Sequence, residues 1–79
     1  MAALTIDDLT AIARDIIGND SIVLTEDLSA ADVLGWDSLN HTLITLEIGA
    51  RCGFEAQPAE FAKAKNFGEL LQMANRRGA

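Results

Sequence analysis

Cysteine is nearly missing from this chain: Cys52 stands alone among 79 residues. One thiol closes no internal bridge, so no disulfide framework supports the fold, and a reducing or redox-indifferent compartment suffices. Tyrosine is absent and aromatics make up 5%, so the core must be aliphatic: Leu, Ile, Val and Ala around three phenylalanines. The acids are scattered and no Cys/His spacing matches a ligand set, which argues against a metal site. No apolar run approaches the roughly 20 residues that span a bilayer. The opening "MAALTIDDL" has neither a basic region nor a following apolar stretch, so it does not read as a signal peptide. One soluble cytoplasmic domain, residues 1–79, is expected, near the size at which a single apolar core suffices.

Basic residues are scarce in the first half. Residues 1–37 carry eight acids against Arg14 alone (−7), whereas residues 38–79 carry four acids and five bases (+1). An acidic face repels nucleic acid and anionic membranes and steers encounters with basic protein surfaces. Solubility alone accounts for such a balance equally well.

What is present reads as an all-α chain of four helical segments. "TIDD" is a capping-box-like start, with Thr5 as cap and Asp8 three residues on. Ile6, Leu9, Ala13, Ile16 and Ile17 follow on one stripe, and Gly18-Asn19 ends the segment. A long connection runs from Asn19 to Gly35, where Ile22, Val23, Leu24, Leu28, Val33 and Leu34 are the candidates to pin it down, and "SAAD" suggests one short helical turn. The second helix starts after Asp37 and closes at Gly53; Leu39, Leu43, Leu46 and Ala50 form its expected buried stripe, with Ile44 and Ile48 in an adjacent one. "QPAEFAKA" is a short third helix with Pro58 at its first position. "NFGE" is another capping box, Asn66 with Glu69, opening a last helix with the stripe Phe67, Leu70, Leu71 and Ala74, and with Arg76-Arg77 at its negative end.

Candidate chemistry centres on "GWDSLN", Gly35 to Asn40. Ser38 and His41, three apart on a helix, come within about 5–6 Å at Cβ. A serine hydrolase also needs an oriented base, an oxyanion hole and a pocket, and this chain is too short to build them. His41 and Cys52 are separated by roughly 16 Å of helix, so no dyad forms. Cys52 reads as a small buried hydrophobe, and His41 as a solvated residue on a helix flank that is open to a partner. Asp37 at the N-cap places Ser38 at the first helical position, beside unsatisfied amides at the positive end of the dipole. That position favours a phosphate diester. By itself, Asp-Ser-Leu is also an ordinary helix start.

The whole chain, however, resembles the acyl carrier protein family. The resemblance is centred on "DVLGWDSLNHTLITLEI", which looks like the Gly-x-Asp-Ser-Leu attachment motif of free-standing carriers followed by its amphipathic helix. "LTEDL" in the long loop and the ending of short helix, loop and final helix match as well. The resemblance implies a small four-helix bundle with a long loop between helices 1 and 2 and a short third helix. It implies that Ser38 receives 4′-phosphopantetheine from coenzyme A through a phosphopantetheinyl transferase, with magnesium that Asp37 helps to place. The chain would then catalyse nothing. It would carry an acyl or aminoacyl group as a thioester, loaded by an acyl- or aminoacyl-activating ligase and consumed by downstream acyl-processing enzymes, as a monomer without nucleic-acid or membrane partners. Trp36, Leu39, Asn40, His41 and Thr42 are the expected partner-contact positions, with Trp36 also an anchor at the helix entry. Leu43, Ile44, Leu46, Ile48 and Phe61 are the expected cargo-lining residues.

Two features depart from the fatty-acid type. Glu47 is the only acid on the second helix, and Lys63 and Lys65 stand where the family is commonly acidic. The departure points to a specialised fatty-acid, polyketide or aminoacyl pathway. The alternative reading is an unmodified helical interaction module that docks through the second helix.

Overall fold

The computed structural model describes residues 3–78. It is all-α, as the periodicity predicts: α1 spans Ile6–Ile17, α2 Ser38–Cys52, α3 Pro58–Phe61 and α4 Phe67–Arg77, with a 3₁₀ turn at Ala30–Asp32. No strand occurs among the described residues.

The helix ends sit where local chemistry puts them. Thr5 Oγ1 accepts from the Asp8 amide at 3.1 Å and Asp8 returns the bond to the Thr5 amide at 3.0 Å. Around the 3₁₀ turn the Asp32 carboxylate accepts from both the amide and the hydroxyl of Ser29 at 3.0 Å. These bonds favour the ionised carboxylates and hold Asp8 and Asp32 below the ordinary carboxyl value of 3.8. Their stabilisation is present above that value and is lost as the pH falls through the lowered one. Gly18 and Gly53 close α1 and α2 with φ of 80° and 81°. At α4 the expected box is displaced by one residue: Asn66 caps the Glu69 amide at 2.9 Å, but Glu69 reaches back to the Lys65 amide at 3.1 Å.

The core joins Leu9, Ile12 and Ala13 of α1 to Ile44 and Ile48 of α2, Phe61 of α3, and Phe67, Leu70, Leu71 and Ala74 of α4. Ile12, missing from the predicted stripe, is buried at its centre, while Ile6, Ile16 and Ile17 pack along its edges. The larger correction concerns α2. Leu39, Leu43 and Leu46 are 68%, 44% and 50% exposed, and Ala50 is exposed too. The inward face is Ile44, Thr45, Ile48 and Gly49. Thr45 is fully buried because its hydroxyl is satisfied by the His41 carbonyl at 2.7 Å. Gly49 is there for a close approach: a Cβ would stand 2.6 Å from the Phe54 carbonyl and 2.9 Å from the Ala56 Cβ.

The long connection is pinned by backbone as much as by side chains. Ile22 and Leu24 are buried and Leu28 and Val33 partly so, whereas Val23 and Leu34 face outward. The first amides of α4, which have no partner within their own helix, donate to the loop: Phe67 to the Leu28 carbonyl and Gly68 to the Glu26 carbonyl, both at 2.9 Å. Arg14 Nε donates to the Ile22 carbonyl at 2.7 Å. The connection ends at Gly35, with φ of +92° and no room for a Cβ, which would lie 2.7 Å from Ile17 Cγ2. Wedged against the end of α1, this glycine delivers Trp36, Asp37 and Ser38 to the start of α2.

Candidate functional site

Ser38 is the first residue of α2 and is exposed. Asp37 caps the helix through the Asn40 amide at 2.8 Å. The Asn40 side chain turns back to donate to the Gly35 carbonyl, also at 2.8 Å. A turn is thereby locked on both sides of the serine, and its hydroxyl stands at the positive end of a 15-residue helix.

Beside Ser38 lies a cavity of about 710 Å³. Trp36, Asp37, Ser38, His41 and Thr42 form one side of it. Pro58, Phe61 and three alanines of the α3 region (Ala59, Ala62 and Ala64) form the second, and Phe67 and Leu70 of α4 close it. The short alanine side chains leave the space that larger residues would fill. Trp36 packs its indole on Phe67 with ring centroids 4.9 Å apart. Trp36 Nε1 donates to His41 Nδ1 at 3.1 Å, and His41 Nε2 lies 2.9 Å from the Pro58 carbonyl.

This geometry removes the hydrolase reading of Ser38 and His41. Both ring nitrogens are committed to Trp36 and Pro58, and a base needs one directed at the nucleophile. Cys52 is partly buried; that burial, and then the charge of Asp8, push its thiol up, the reverse of an activated cysteine. Among the described residues no group of His, Cys, Asp and Glu is arranged to hold a metal ion. Among them, too, no helix is long and apolar enough to cross a membrane.

No family model matches the chain, and no curated protein matches it significantly. A solved structure does. The solution structure of holo acyl carrier protein from Geobacter metallireducens is 36% identical, with a TM-score of 0.77, over 92% of this chain and 84% of that one. The chain belongs to the acyl carrier protein family. The four-helix fold is that of the family, and the likeness supports a carrier role.

Within this acyl carrier protein fold the sequence-derived residues separate. Of the expected partner-contact positions, Leu39 stands clear of the surface. Trp36, Asn40 and His41 are held by the bonds just described, and Thr42 Oγ1 donates to the Ser38 carbonyl at 3.0 Å. His41 is therefore no freely solvated flank residue but a bridge between Trp36, in the turn before Ser38, and α3. Of the expected cargo-lining residues, only Phe61 lines the cavity. Ile44 and Ile48 are fully buried in the core, and Leu43 and Leu46 point outward. The alanine wall of the α3 region and the Phe67 floor were missed. A run of alanines around one phenylalanine in "AEFAKA" is the signal that marks a wall with room beside it.

Proposed function

We propose that Ser38 is the attachment residue for 4′-phosphopantetheine derived from coenzyme A, and that the chain carries an acyl or aminoacyl intermediate between partner enzymes without catalysing a reaction itself. The observation that carries this reading is an exposed serine at the first position of a long helix, on the rim of a cavity, in a chain of the acyl carrier protein family. The residues fit the group. The helix start favours a phosphate diester, and the apolar cavity beside it suits an arm or cargo laid along α3. When bound, the group supplies a terminal thiol that holds the cargo as a thioester. Asp37 has two compatible roles, as helix cap and in placing the transferase's magnesium. Partners on this reading are a phosphopantetheinyl transferase, a loading ligase and downstream acyl-processing enzymes, met in the cytoplasm by a monomeric carrier domain of residues 1–79.

A specialised pathway is favoured by the outward face of α2. Its only acid, Glu47, is paired with Arg51 at 2.8 Å, and Leu39, Leu43 and Leu46 are exposed on the same helix. The same leucines support the second reading, an unmodified interaction module. Intact-mass measurement after incubation with coenzyme A, magnesium and broad-specificity transferases separates the two. The expected result is a gain of one phosphopantetheine group, absent in Ser38→Ala. An unchanged mass with several transferases overturns the carrier reading.

A further inference from the structure

His41 is the one histidine in the chain, and its ring is built into the wall of the cavity. An indole N–H only donates and a backbone carbonyl only accepts. The bonds from Trp36 Nε1 to Nδ1 and from Nε2 to the Pro58 carbonyl are thus satisfied together by one form of the ring, neutral with its proton on Nε2. That ring ties the residue two before Ser38 to the first residue of α3 and, through the indole on Phe67, to α4.

A second proton has to go to Nδ1, where it meets the indole N–H. Two donors share no bond, so the Trp36 contact is lost. The bond from Nε2 to the Pro58 carbonyl survives and gains charge assistance.

We propose that neutral His41 is a positioning residue that holds Trp36 as a wall of the cavity beside Ser38, and that its protonation frees Trp36 while keeping α3 attached. That the freed wall borders a cargo rests on the carrier reading; the latch itself does not.

Charged neighbours have other engagements. Asp37 caps the Asn40 amide. On α3, Glu60 pairs with Arg77 of α4 at 2.8 Å, and Lys63 follows it in the next turn. On α4, Glu69 accepts from the Lys65 amide. Asp32 of the 3₁₀ turn accepts from Ser29, Arg14 of α1 donates to the Ile22 carbonyl, and Glu47 and Arg51 pair further along α2. Among the described residues, neither ring nitrogen is bonded to a charged group.

The test uses the unmodified chain, so it stands whether or not Ser38 accepts phosphopantetheine. Nitrogen NMR of the imidazole and water exchange of the Trp36 indole N–H, each rate taken relative to that of an unstructured tryptophan indole at the same pH, are compared at about pH 7.5 and about pH 5. At the higher pH the ring is expected in the Nε2–H form with a slowly exchanging indole. At the lower pH exchange is expected to quicken about tenfold, the scale of one net hydrogen bond, with the change centred on Trp36 and the start of α2. His41→Asn retains an acceptor near Nδ1 and removes the titration, so its indole stays slow at both pH values. His41→Gln retains a donor towards Pro58 and loses the acceptor, so its indole is fast at both. Indole exchange in the parent chain that is the same at both pH values overturns the proposal, as does a pH response retained in His41→Asn. A global loss of amide dispersion at the lower pH overturns it as well. The parent chain alone decides the matter if either variant fails to fold.

Discussion

The two faces of α2 are built from similarly apolar residues and have opposite fates. One face, Ile44, Thr45, Ile48 and Gly49, is sealed against α1, α4 and the Phe54–Ala56 segment. The other, Leu39, Leu43 and Leu46, stays in contact with water. Hydrophobicity alone would bury the leucines. Packing chose the face with a threonine and a glycine, because the Phe54 carbonyl crosses so close that no side chain fits at position 49. A helix with apolar residues on two faces is therefore oriented by its small residues. The surplus leucines remain outside, where a partner surface can meet them.

The comparison breaks most visibly on the inner face. Ile48→Ala removes a fully buried side chain and is expected to cost about 2–5 kcal/mol, a large part of the stability of a small domain. Urea unfolding followed by circular dichroism measures it. A loss as small as that of an outer leucine would mean that the two faces are not distinct. Gly49→Ala is expected to cost about 1–3 kcal/mol, since the new methyl pushes on the Phe54 carbonyl. The result is diagnostic because the same substitution at an exposed helical site gains about 1 kcal/mol, so a stabilised variant would refute the close approach. Leu46→Ala on the outer face is expected to change stability by no more than about 0.5 kcal/mol, and the same unfolding series measures it. Its consequence belongs instead to partner-dependent steps, read as slower modification or loading of Ser38 at unchanged stability.

The helix starts and stops were legible because they are local. Thr5 with Asp8, Asp37 with the Asn40 amide, Pro58 at the first turn of α3, and Gly18 and Gly53 each act within four residues of themselves. The place of Ser38 at the first position of α2 was legible for the same reason, since it follows from the cap before it. The orientation of α2 was not, because it depends on a carbonyl that reaches Gly49 only after the chain has turned back. Nor was the role of His41. Its two partners lie five residues before it and 17 after it, and nothing in the local pattern marks the bond to Pro58.

From sequence alone came four helices, a long loop pinned between them and Ser38 at a helix start. Each rests on interactions between neighbours in the chain: caps, left-handed glycines and 3.6-residue periodicity. Tertiary structure decided which side of α2 is buried, what lines the cavity beside the serine and which groups meet the two imidazole nitrogens. Those outcomes depend on atoms that meet only in the folded chain: the Phe54 carbonyl against Gly49, the alanines of the α3 region and Phe67 lining one cavity, and an indole and a carbonyl on either side of one ring.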